Sequence, residues 1–117
     1  MADNNEAIIS PVGAVWKYIR QNFPSIELYQ ADESHPSVAG TYAAACSFYT
    51  AMFRKDPSTI TFNSTLSAPD AENIRSAAKI IVYDSLLNWH IGEYDPEAGF
   101  SYIDSGDYQV TFENNSR

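Results

Sequence analysis

The segment "IELYQADESHPSVAGTYAAACSFYTAMF", residues 26–53, decides how the chain is read. Ile26 and Leu28 alternate with Glu27 and Tyr29, the period-two pattern of a half-buried strand. Turn-forming and acidic residues follow, and Pro36 opens an alanine-rich stretch. A helix is expected from about Pro36 to Arg54, with Val38, Tyr42, Ala45, Tyr49 and Met52 as its apolar stripe. Gly40, Ala43, Ala44 and Ala45 are small enough to let a neighbouring element approach the backbone closely. Asp32 and His35 lie between the strand and the helix. In an open α/β sheet, the loops beyond the carboxyl ends of the strands are where ligands bind.

Upstream, "AII" (7–9) reads as a short strand ending at Ser10-Pro11. That pair has the form of a helix N-cap followed by proline at the first helical position. Val12, Val15, Trp16, Ile19 and Phe23 then mark one face of a helix that Pro24 ends. Strand, helix and strand in this order predict a βαβ unit with a right-handed crossover.

Downstream, "KDPSTITFNSTLS" (55–67) reads as a loop with a short extended piece at 60–62. Ser67 and Asp70 stand in capping-box spacing at the start of a third helix. Its inner face is Ile74, Ala78, Ile81, Val82, Ser85 and Trp89; it runs to about His90, and Gly92 stops it. "EYDPEAG" (93–99) is a linker by composition. "FSYI" (100–103) and "YQVTF" (108–112) alternate around "DSGD" (104–107), which predicts a β-hairpin. A lone hairpin is marginal in water, and three amphipathic helices need a sheet to cover. Both observations read as part of a larger protein.

Composition narrows the function. A chain of 117 residues holds one domain with a modest core. Its 44% hydrophobic and 19% charged residues describe a globular chain rather than a disordered one. With seven scattered basic residues and a net charge of −8, it lacks the clustered Lys and Arg that nucleic acid requires. No apolar run reaches membrane-spanning length, and "MADNNEA" (1–7) is not a signal peptide. Cys46 has no second cysteine to pair with and reads as a small buried helix residue.

The sharpest chemistry is the Asp-x-x-His of residues 32–35. A histidine serves as general base when it reaches the proton it takes and a carboxylate fixes its tautomer. Pro36 disfavours helical geometry at His35 and so keeps it in the loop. The bland alternative is a histidine N-cap beside a solvated aspartate. His90 sits at a helix C-terminus, where the dipole favours a cation. The acids of "EYDPE" (93–97) read as solvated, with a calcium contact as the alternative. Asn63-Ser64-Thr65 and Asn114-Asn115-Ser116 match the glycosylation pattern. No G-x-S-x-G nucleophile elbow is present.

The stretch "ISPVGAVWKYIRQNFPSIELYQADESHPSVAGTYAAACSFYTAMF" (9–53) resembles the C-terminal part of an SGNH (GDSL-type) serine hydrolase. The matching positions are Asp32, His35, Pro36, Ser37, Gly40, Thr41 and Tyr42, with Cys46 following and "SPVG" (10–13) upstream. The resemblance covers about residues 7 to 54. It implies an α/β chain, the C-terminal portion of a three-layer α/β/α (flavodoxin-like) fold. Residues 1–92 would belong to the hydrolase domain. Residues 93–117, which resemble the opening of a PKD-like β-sandwich, would be a linker and its first strands.

The resemblance further implies His35 as general base and Asp32 as its partner in ester hydrolysis through an acyl-serine, with no metal or cofactor. The substrate would be a small-molecule or glycan ester, and the compartment secreted or periplasmic. The family's nucleophilic serine and oxyanion residues fall in earlier blocks that this chain lacks, so the chain alone is expected to be inactive. The alternative is a non-catalytic interaction or sugar-binding domain, in keeping with eight tyrosines in an acidic chain.

Overall fold

A computed structural model describes residues 2–104 and 110–116 of the chain. The chain is α-rich. Its helices are α1 (Val12–Asn22), α2 (Val38–Phe53) and α3 (Ala68–Ile81). Short 3₁₀ segments occupy Asp3–Asn5, Pro57–Thr59 and Tyr83–Trp89. Strands β1 (Phe100–Asp104) and β2 (Val110–Asn114) pair antiparallel, with Tyr102 opposite Phe112. Of the expected turn "DSGD", residues 105–107 lie outside the described residues.

Each of the three helices packs against the other two. α1 contributes Val15 and Ile19 to the core, α2 Ala43 and Cys46, and α3 Ile74 and Ala78. Ile26 and Leu28 enter from the α1–α2 connection. Burying each large aliphatic side chain here is worth about 1.5–3 kcal/mol. The facing alanines let the helices approach closely enough to fill the space between them.

The expected βαβ unit does not form among the described residues. Residues 7–9 are irregular, and the Ile9 N–H donates to the Trp89 carbonyl at 2.9 Å. Residues 26–29 keep the predicted alternation, with Ile26 and Leu28 buried and Glu27 exposed, but make only an isolated antiparallel bridge between Tyr29 and Pro36. A strand needs a neighbour to take its N–H and C=O groups. No described strand runs beside this segment, so the side-chain pattern survives without the ladder.

Two further expectations change. The stripe proposed for α2 is not its buried face: Tyr42 is buried, but Val38, Ala45 and Met52 are exposed. The buried face is Ala39, Ala43, Cys46, Ser47 and Thr50. α2 is apolar on nearly all sides, so periodicity cannot choose between its faces. α3 stops at Ile81 rather than continuing to His90. The indole N–H of Trp89 folds back to the Ile81 carbonyl at 2.8 Å, and Ser85 takes non-helical angles. Asp84 pairs with Lys79 at 2.9 Å at the same corner.

The N-caps divide. Ser67 accepts the Asp70 N–H at 3.3 Å, as the spacing predicts. Ser10 caps nothing: α1 begins after Pro11, and the Ser10 hydroxyl is buried without a partner among the described residues.

Candidate functional site

The loop between α1 and α2 is a closed structure built by its own sequence. Its base is the Tyr29–Pro36 bridge, reinforced by Ser37 N–H donating to the Leu28 carbonyl and Gln30 N–H to the His35 carbonyl, both at 2.8 Å. The Gln30 side-chain amide adds a bond to the Pro36 carbonyl at 3.1 Å. Inside this frame the chain turns tightly, and Glu33 adopts a left-handed φ of 57°. Ser37 ties the loop to the helix. Its hydroxyl accepts the Gly40 N–H at 3.1 Å as the N-cap of α2 and donates to the Glu27 carbonyl at 2.7 Å. Ser37, not His35, therefore caps the helix.

Asp32 organises the turn. Its Oδ1 accepts the backbone N–H groups of Ser34 and His35, each at 3.0 Å. Its Oδ2 lies 2.5 Å from Nδ1 of the His35 ring. The His35 backbone N–H, then the His35 ring and the Ser34 N–H, hold the Asp32 carboxyl below its usual range. An ionised Asp32 accepts a proton-bearing Nδ1, which leaves Nε2 as the basic atom of a neutral imidazole. The His35 side chain is 71% exposed, and no described residue hydrogen-bonds Nε2. The pair thus presents Nε2 to solvent as the atom placed to take a proton from a reacting group.

His90 is built differently. It ends the last 3₁₀ segment with φ 60° and stacks on Tyr94 at 5.6 Å. Its Nε2 lies 2.7 Å from Asp3, and Nδ1 contacts Glu93. The Glu93 hydrogen bond chiefly raises its pKa, with Asp3 adding to the effect. Both ring nitrogens are engaged by carboxylates, so neither is free for a reacting proton. The sequence pointed to a helix end but not to these partners. Glu93, three residues on, was within reach of that reading; Asp3, from the opposite end of the chain, was not.

No nucleophile joins His35 among the described residues: no serine or threonine hydroxyl is bonded to it. Cys46 is buried beneath Tyr42, and burial pushes its thiol up to about 11, unsuited to attack near neutral pH. Asn63, the first residue of one glycosylation triplet, is engaged by Arg75 Nη1 at 2.7 Å. Among the described residues, no group of three or more His, Cys, Asp or Glu is arranged to hold a metal ion. No described helix is long and apolar enough to cross a membrane. No protein-family model, curated protein or solved structure matches the chain.

Proposed function

We propose that residues 1–92 are the C-terminal part of an SGNH-type serine esterase domain, with His35 as general base and Asp32 as the group that orients it. The observation that carries this reading is the 2.5 Å contact between Asp32 Oδ2 and His35 Nδ1, with Nε2 open to solvent. In the reaction, His35 Nε2 takes the proton of a serine supplied from outside this chain as its Oγ attacks the ester carbonyl. The protonated imidazole then gives that proton to the departing alcohol. A water, deprotonated by the same nitrogen, releases the acid from the acyl-serine. Asp32 stays ionised throughout, which its depressed carboxyl favours.

Two features of packing support the same reading. α2 keeps an outer stripe of Val38, Thr41, Ala45, Phe48 and Met52, spaced by three and four residues and exposed. A helix apolar on both faces is suited to lie between two layers. Residues 26–29 carry a strand's alternation without a strand's partner, as an edge awaiting a sheet would. Residues 93–117 are proposed as the linker and opening strands of a PKD-like module.

The test compares the 117-residue chain with one extended upstream to a Gly-Asp-Ser block, both assayed on a short-chain acyl ester. The short chain should be inactive. The extended chain should turn over, and His35→Ala should lower its kcat by about 10²–10⁴. Turnover by the short chain that vanishes with His35→Ala would put the nucleophile within it. Activity of the extended chain that ignores His35→Ala would remove this histidine as the base.

A further inference from the structure

Beside the loop, one face of α1 and Tyr29 form an open surface cleft of about 480 Å³. Gly13, Trp16, Lys17, Arg20 and Gln21 line it from α1, at helical spacings of three and four. This volume is within the range of about 300–1,000 Å³ typical of small-ligand sites.

Two aromatic rings line the cleft. Trp16 and Tyr29 are half-buried, with ring centroids 5.0 Å apart and planes at 86°. The indole cannot swing freely, because its N–H donates to the Gly40 carbonyl at 3.2 Å. The Tyr29 backbone is held by its bridge to Pro36, and its ring packs edge-on against the indole. Lys17 and Arg20 are exposed, and neither forms an ion pair with a described residue. By contrast, Arg54 pairs with Asp95 and Lys79 with Asp84. In a chain of net charge −8, Lys17 and Arg20 set two cations without a described ion partner on the wall of the cleft beside the two rings. The nearby Glu27 carboxylate is engaged by the Tyr29 N–H at 3.3 Å.

The chemistry of the lining selects the ligand. The cations call for an anion, and the Arg20 guanidinium can hold a carboxylate through two parallel N–H···O bonds. The rings call for an apolar surface. Because they stand perpendicular, they form a corner rather than a slot and cannot sandwich a flat aromatic molecule. A puckered sugar ring can lay one C–H face on one ring and its edge against the other. Gln21 supplies donors and an acceptor for hydroxyls. We infer that this cleft binds a carboxylate-bearing sugar, a uronate unit of an anionic glycan. The inference goes beyond the esterase reading and does not depend on it. Where both hold, the acidic sugar sits next to the His35 loop.

The test is calorimetric titration of the 117-residue chain at low ionic strength with digalacturonate, with cellobiose as the neutral disaccharide and benzoate as a flat aromatic carboxylate. Digalacturonate should bind at least about tenfold more tightly than either, and Arg20→Gln should weaken it by about tenfold. Lys79→Gln, an equal loss of charge at a surface ion pair, should leave binding unchanged. Gly13→Leu should abolish binding. An added Cβ at Gly13 meets nothing within 4 Å, and leucine is the better helix former by about 0.8 kcal/mol. Its melting temperature should therefore hold or rise, which separates a blocked cleft from an unfolded chain. Equal binding of cellobiose, tighter binding of benzoate, binding that survives Gly13→Leu, or no heat with digalacturonate would each overturn the assignment.

Discussion

Gly40 lies against the carbonyl of Leu28: a Cβ added at Gly40 would stand 2.2 Å from that oxygen and 2.9 Å from the Trp16 ring. The contact joins the first turn of α2 to the segment that leads into the His35 loop. Ser37 holds the same corner from the other side, through the Glu27 carbonyl and the Gly40 N–H. The spacing of Pro36, Ser37 and Gly40 thus has a physical meaning, as stop, cap and close approach.

Gly40→Ala should accordingly destabilise the chain. The obstructing atom is backbone, so relief requires moving the 27–28 segment rather than a flexible side chain. Overpacking of this kind costs about 1–3 kcal/mol, and the helix propensity of alanine offsets only about 1 kcal/mol of it. A lowered urea midpoint with an unchanged m-value is the expected result. A midpoint equal to or above that of the parent would show that the segment yields freely.

How far the sequence could be read follows from where each pattern is decided. Capping and turn chemistry are local, so the Asp32–His35 contact and the Ser67 cap were legible in a few residues. The α1 face was legible because that helix has one apolar side. The face of α2 was not, since a helix apolar all round gives no direction to choose. The strands expected at 7–9 and 26–29 failed for a different reason: alternation records which side chains turn inward, while a strand exists only with a hydrogen-bonding neighbour. His90 was half legible, because its helix-end position is local and its Asp3 contact spans the chain.

Tyr42 should prove structurally important through its hydroxyl. The hydroxyl accepts from Arg75 Nη1 at 3.0 Å and donates to the Phe62 carbonyl at 2.7 Å. It thereby pins the 55–67 loop over a buried guanidinium whose other partner is Asn63. Tyr42→Phe keeps the ring and removes both bonds, which should cost about 1–3 kcal/mol. Combined with Asn63→Ala, the losses should be non-additive, because both side chains serve the same Nη1. Additive urea midpoints would refute the shared network.

His90 gives a pH dependence whose direction can be worked out. Its folded pKa is raised, chiefly by Glu93 and further by Asp3, while desolvation and the N-terminal amine oppose the shift. The tie between residues 3 and 90–93 is therefore fully present below about 6.5, the ordinary histidine value, and is lost as pH rises through the folded value. In an NMR titration the His90 ring should show a midpoint above 6.5. Glu93→Gln should lower that midpoint more than Asp3→Asn does. A midpoint at or below 6.5 in the parent chain would contradict the clasp.

The outer stripe of α2 distinguishes a free surface from a buried layer. Phe48 is 50% exposed and Met52 66%, one turn apart on the same face as Val38, Thr41 and Ala45. A contiguous apolar face of this kind favours association in water. The 117-residue chain should therefore self-associate at micromolar concentration, and Phe48→Glu or Met52→Lys should restore the monomer in sedimentation velocity with little change in melting temperature. In an upstream-extended esterase the same face would lie under the sheet. There, burying the introduced charge without a partner should cost about 3–5 kcal/mol or leave the protein unfolded. The two backgrounds should thus respond in opposite senses to one substitution. If Phe48→Glu is harmless in the extended protein, α2 does not carry the sheet on this face, and the three-layer arrangement proposed for residues 1–92 is wrong even if His35 is the base.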